Sequence, residues 1–255
     1  MAEDPSTGTL FLAVMDGHGE AGDRVAQAFR RELAPKVFSH PDWATDPAKA
    51  VSASIAQIEA HLLLDPSVDT DFSGTTMSVA CVRGDSVIVA NVGDSRVTLG
   101  RRAVRRKGAG AAAAEEGGEE MVEAVALSED HKPDSPGERA RIEGCGGRVF
   151  AVAYDDGVDG PPRVWLGDMD IPGLAMSRSL GDSVAHAAGV SSEPDTYVHH
   201  LGRAGGKGLQ RGGGGRGGGG GGGEGGDPLL LLLATDGLWE FMSNEVCVIH
   251  VKCSQ

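Results

Sequence analysis

Long apolar runs are missing from this sequence. The longest candidate, 229–234, falls far short of the roughly eighteen residues that a membrane-crossing helix requires, which argues against a membrane-spanning chain. The stretch MAEDPSTGT also lacks the pattern of a secretory leader, with neither a basic start nor an apolar run, so none is expected. Cysteine is scarce: the four residues at 81, 145, 247 and 253 form no CxxC pair and no spacing that suits zinc or a disulfide framework. A soluble, intracellular protein of a reducing compartment, cytoplasmic or nuclear, is therefore expected. Positive charge is in short supply too. With 23 Lys plus Arg against 37 Asp plus Glu, the net charge of -14 argues against nucleic acid or anionic membrane as the main partner and suits a cation better.

What the chain does have is length for one sizeable core, and 1–255 is read as a single domain working as a monomer. Glycine is abundant, 40 residues in all, and crowds into 202–228, a segment too rich in glycine to offset its ordering entropy. That stretch is expected to be a flexible insertion. A second low-complexity stretch, 103–120, loses all periodicity and carries a basic cluster followed by an acidic one, as a solvated loop would.

Elsewhere the patterning is regular. The run 10–15 reads as a buried strand, and apolar residues at helical spacing predict helices over 21–38 and 47–64. From 73 to 102 the period changes to that of an antiparallel meander, punctuated by Gly84-Asp85 and Gly93-Asp94. Further strands are expected at 123–127, 148–152, 164–166, 196–201 and 229–235, with helices at 135–143 and 243–251. Hairpins outnumber crossovers, so the fold class is α+β with antiparallel sheets.

Two apolar strands end alike, in LFLAVMDGHG at Asp16 and LLLLLATDGLWE at Asp236. A carboxylate just beyond a buried strand is held rigidly, and the glycine after it allows a sharp turn that brings a carbonyl to the same point. Asp130, in ALSEDHKPD, also follows an apolar strand. Such all-oxygen donors suit Mg²⁺ or Mn²⁺ better than zinc. Each motif alone reads most simply as a turn, His18 as a surface histidine, Asp94 as turn chemistry and Glu240 as a solvent-facing helix residue. Their joint occurrence is harder to dismiss.

The segments DGHG (16–19), DFSGTTMSVACV (71–82), VIVANVGDSRVTL (87–99), LSEDHKP (127–133), ERARIEGCGGRV (138–149), LAMSRSLGD (174–182), EPD (193–195) and LATDGLWEFMSNEV (233–246) resemble, in order, the motifs of metal-dependent PPM/PP2C-type protein serine/threonine phosphatases. The resemblance implies an α-β-β-α sandwich of two mainly antiparallel sheets flanked by helices, with two Mg²⁺ or Mn²⁺ ions at one end of the sheets. It matches Asp16 to the carboxylate bridging the metals, Gly17 to a carbonyl ligand and Asp236 to a ligand of one metal. Asp130 matches a weaker third metal position, and Glu240 stands where many members have Asp. By the same resemblance, phosphorylated proteins are the substrates, a metal-bridging hydroxide attacks phosphorus, and His18 protonates the departing Ser or Thr oxygen.

The resemblance also implies departures at both ends of the domain. Family members carry an earlier strand pair with an acidic metal ligand and a phosphate-holding arginine, matched by nothing before Leu10, and a later Asp-Asn pair that this sequence does not contain. An incomplete domain with weakened metal affinity is the expectation, and an inactive pseudophosphatase that binds phosphoproteins is the alternative. The glycine-rich stretch ends at Asp227, nine residues before Asp236, so it is expected ~30 Å from the metals at about 3.3 Å per strand residue.

Overall fold

The computed structural model describes residues 1–105, 119–154, 157–201, 210–211 and 227–253. The chain begins with β1 (Ala2–Asp4), β2 (Thr9–Val14), β3 (Gly17–His18), α1 (Gly22–Ser39) and α2 (Pro47–Leu62). There follow β4 (Gly74–Thr75), β5 (Met77–Arg83), β6 (Ser86–Val92), β7 (Arg96–Arg105), β8 (Glu119–Ala126), α3 (Pro136–Gly144), β9 (Arg148–Tyr154) and β10 (Gly157–Trp165). The last part holds β11 (Pro172–Leu174), β12 (Leu180–Gly181), α4 (Ser183–Ala187), β13 (Asp195–His200), β14 (Gln210–Arg211), β15 (Pro228–Ala234), α5 (Asp236–Trp239) and α6 (Asn244–Cys253).

One antiparallel sheet has the order β1-β2-β5-β6-β13-β14, and a second has β15-β7-β8. Period-two alternation explains how they pack. Val79, Cys81, Ile88 and Ala90 point to one face of the first sheet, where Val25, Phe29 and Leu33 of α1 and Val51, Ile55 and Ile58 of α2 cover them. Ala80, Val87 and Val89 point to the other face and meet Val97 and Leu99 of β7, with Leu231 and Leu233 of β15 packed alongside. Beyond β7, a side chain on Gly100 would press within 2.7 Å of Val248, so α6 closes the outer face of the second sheet. The layers run helix, sheet, sheet, helix, as the α+β sandwich expectation required. A third cluster, with Ile142 of α3, Val149 of β9 and Val164 of β10, forms a smaller unit at the side.

Several segments differ from the sequence expectation. Ala2–Asp4 forms a strand against Thr9–Phe11, although nothing before Leu10 suggested one. The Asp4 carboxylate ties this hairpin together: it accepts bonds from Thr7, Ser6 and the Trp43 indole, which hold its pKa well below the carboxylate range. The expected loop at 103–120 begins later and ends sooner, because β7 and β8 extend until Arg105 stands opposite Glu119. Gln210 and Arg211 likewise pair with Val198 and Tyr197 inside the expected glycine-rich insertion. The remainder of both insertions, 106–118, 202–209 and 212–226, lies outside the described residues. Among the described residues, no helix is long and apolar enough to cross a membrane.

Candidate active site

The end of β2 delivers Asp16 to a small sheet of order β12-β4-β3. There Gly17 pairs with Thr75, and His18 with Gly74. Glycine at 17 is a steric requirement, since any side chain would overlap the carbonyl of Gly22 at the start of α1. Thr76 fixes the next link. Its Oγ1 accepts the Asp16 N–H at 3.1 Å and lies 2.7 Å from Ser95 Oγ, so the Asp16 turn is tied to the Asp94-Ser95 turn. Neither pairing is visible in local sequence, because the partners come from three connections far apart in the chain.

His18 is held from the far side of this sheet. Its Nε2 lies 2.6 Å from Asp182 Oδ2, while Nδ1 is enclosed and has no hydrogen-bond partner among the described residues. Burial acts to lower the His18 pKa, but the bond and charge of Asp182, with the charges of Asp16 and Asp94, outweigh it and the net shift is upward. Asp182 is itself tightly seated: it takes positive φ (46°), accepts a short bond from Ser179 Oγ, and leaves no room for a side chain at residue 74.

A cleft of about 490 Å³ opens where β7 begins and β15 ends, beside β10, lined by Asp94, Arg96, Asp130, Lys132, Pro161, Arg163, Ala175, Asp236, Trp239 and Glu240. Reciprocal bonds between Gly93 and His131 clamp the two loops that carry its acidic side. Asp94 is 2% exposed and ion-paired to Lys132 Nζ at 2.5 Å. Asp130 is gripped by both ends of the Arg96 guanidinium, at 2.9 and 2.8 Å, and Arg96 also stacks over Trp239 and donates to Asn244. Asp236 opens α5, whose Trp239 is pinned through its indole N–H to Ala234 O.

The residues singled out by motif thus fall into two neighbouring groups. Asp236, Asp130 and Glu240 line the cleft, whereas Asp16, Gly17 and His18 belong to the small sheet, and Asp94 links the two by lining the cleft while its charge reaches His18. Motif reading missed Asp182, Arg96, Lys132 and Arg163, and it took Asp94 for turn chemistry. The only available signals were the conspicuous GDSR and SLGD segments. As a test for a divalent cation, the donor chemistry fits, because the Asp16 and Asp236 carboxylates accept no hydrogen bond or ion pair among the described residues. The ligand count fits only a weakly held ion, since among the described residues no three His, Cys, Asp or Glu groups converge on one point. Mg²⁺ is commonly held by one or two carboxylates, with water and phosphate completing its shell.

A family model described as Protein phosphatase 2C matches residues 3–206. Probable protein phosphatase 2C 48 of Oryza sativa subsp. japonica is 31% identical over 260 residues, covering 94% of this chain and 64% of its own length. Probable protein phosphatase 2C 64 of the same species is 34% identical over 251 residues, 96% of this chain but 50% of that protein. The chain therefore spans less than two thirds of these relatives. Among solved structures, serine-threonine phosphatase 2C from Toxoplasma gondii shares the fold with a TM-score of 0.69 at 22% identity, over 96% of this chain and 74% of that one. The extent of the family match, together with the relatives and the shared sandwich, establishes that this chain belongs to the protein phosphatase 2C family.

Proposed function

We propose that the cleft hydrolyses phosphoserine and phosphothreonine in intracellular proteins, with Mg²⁺ or Mn²⁺ as cofactor. The observation that carries this reading is the unpartnered Asp236 carboxylate beside the cations of one cleft, which offers a divalent ion and a phosphate anion places side by side. Asp16, the Gly17 carbonyl and Asp236 would hold two ions, with Asp130 and Glu240 at the margin of a weaker third. When bound, such ions neutralise phosphate oxygens and lower the pKa of coordinated water. Asp130 would have to be shared with Arg96.

The protein's own groups supply the rest. Asp182 orients the His18 ring through Nε2 and, with the nearby acidic charges, favours its protonated form, as a general acid for the departing Ser or Thr oxygen requires. A monomer suffices for all these roles, because each group comes from one chain. The second reading, a pseudophosphatase that binds phosphoproteins without turnover, is favoured by one observation, the absence of three converging ligands among the described residues.

Hydrolysis of a phosphothreonine peptide across a Mn²⁺ titration separates the two. Turnover that saturates with Mn²⁺ and falls to background in Asp236→Ala is the expected result. Phosphopeptide binding without turnover in the folded chain would instead establish the second reading.

A further inference from the structure

The cleft holds three cations, but only two of them are committed to carboxylates. Lys132 is spent on Asp94 and Arg96 on Asp130. Arg163 differs. Its Nη1 donates to the Gly173 carbonyl at 2.8 Å, and among the described residues it pairs with no carboxylate. A guanidinium has five N–H donors, so one bond to a carbonyl fixes its orientation and leaves most of the fork open.

The strand explains how it comes to be there. β10 pairs with β9 and β11, but its register shifts between Asp159 and Arg163, where Pro161 and Pro162 contribute no N–H. Pro161, inside that interruption, and Arg163, at its end, both line the cleft from the wall formed by the β9-β10-β11 sheet. Asp94, Arg96 and Asp130 contribute from the β7 and β8 side, and Asp236 from the end of β15. Once Asp94 and Asp130 are neutralised, what remains in the cleft is one guanidinium together with the carboxylates of Asp236 and Glu240. That is a place for an anion next to a place for a cation.

We propose that Arg163 is the residue that grips the phosphoryl group of the substrate, taking two oxygens of a phosphoserine or phosphothreonine dianion on its open edge. The proposal rests on the phosphatase reading for the substrate's chemical class. It requires phosphate recognition, however, and not turnover. Arg96 and Lys132 are poorer choices, because each would have to abandon a bonded carboxylate partner at the cost of leaving a charge unpaired.

The test compares binding of a fluorescent phosphothreonine peptide and its unphosphorylated twin by the full 255-residue chain, read as anisotropy with and without Mn²⁺. Arg163→Ala should weaken the phosphopeptide roughly tenfold or more, the usual scale of a charged hydrogen bond, and leave the twin unchanged. Arg163→Lys should restore part of the affinity, since it returns the charge without the fork. Arg163→Gln keeps a donor for Gly173 while removing the charge, so it should resemble Ala in binding and the wild type in melting temperature. Arg31→Ala, at an exposed pair with Glu32, serves as the control. The proposal is overturned if Arg163→Gln binds the phosphopeptide as the wild type does, if it loses both peptides equally, or if the wild type does not prefer the phosphorylated form. Phospho-selective binding that depends on Arg163 in a chain without turnover would refute the phosphatase reading and leave this one standing.

Discussion

Two charged regions of the molecule use the same residue types in opposite ways. Where α3 meets the strands around β12 and β13, Glu138 accepts bonds from Arg178 at 2.9 Å, Arg141 at 2.8 Å and Ser177 Oγ at 2.7 Å. Arg178 reaches on to Asp195 and to the carbonyl of Glu193. Burial alone would raise the Glu138 pKa, yet these donors bring it down to about 2. In the cleft and the adjoining small sheet, by contrast, Asp16 and Asp236 are left without a partner among the described residues, and Arg163 bonds only a carbonyl. A network in which every charge is answered holds two parts of a fold together. A cluster in which some are not is available for ligands.

The sharpest way to break this comparison is to unbalance the network. Arg178→Ala leaves the Glu138 carboxylate with Arg141 and Ser177 only and should destabilise the fold by about 3–5 kcal/mol, measured by urea unfolding. The pH dependence carries the sign. Glu138 is depressed from 4.5 to about 2, so its contribution is present above the unfolded value and is lost as pH falls toward 2. That acid limb should shrink in the variant.

Glu59 supplies the intermediate case, because it backs the small sheet that carries His18. Burial pushes its carboxyl from 4.5 up to about 7, against the Gly181 N–H bond and helped by the charge of Asp182. The native state therefore holds this proton more tightly than the unfolded chain does, and stability should fall as pH rises from 4.5 to 7, by up to about 3 kcal/mol. Glu59→Gln keeps an acceptor for Gly181 and should flatten that slope in melting curves taken at pH 5 and 8.

A smaller effect, confined to function, is expected at Asp182. Asp182→Asn retains the side chain's shape but weakens the hold on His18. Turnover of a phosphothreonine peptide should drop about tenfold, part of the ~10²-fold or more that a general acid contributes. Hydrolysis of an aryl phosphate, whose leaving group scarcely needs the proton, should change little. An equal loss on both substrates would make the His18–Asp182 contact purely structural.

Much of the fold was legible in sequence because burial imposes a period. Alternation through 77–92 and helical spacing in 22–39 and 47–62 both mirror the faces they bury. Two-residue strands such as Gly17–His18, Gly74–Thr75 and Leu180–Gly181 carry no period, and they exist only because distant segments meet. Ala2–Asp4 was equally hidden, since Ala, Glu and Asp have little strand preference and the pairing is set by the hairpin around Asp4. In the site, Asp16 and Asp236 could be found from Asp-Gly after an apolar run. The partner of His18 lies 164 residues away, and Asp94 meets Lys132 across 38, so no local pattern could identify either.

If the unanswered carboxylates of the site hold a cation, they must do so in the protein as it stands. That is tested most directly by Mn²⁺ binding to the 255-residue chain, followed by electron paramagnetic resonance, beside urea unfolding of the same samples. Weak, saturable binding is expected in the wild type and none in Asp236→Ala, while the unfolding free energy without metal stays within about 0.5 kcal/mol. Absence of Mn²⁺ binding in the folded wild type, or identical binding in the variant, would contradict that expectation.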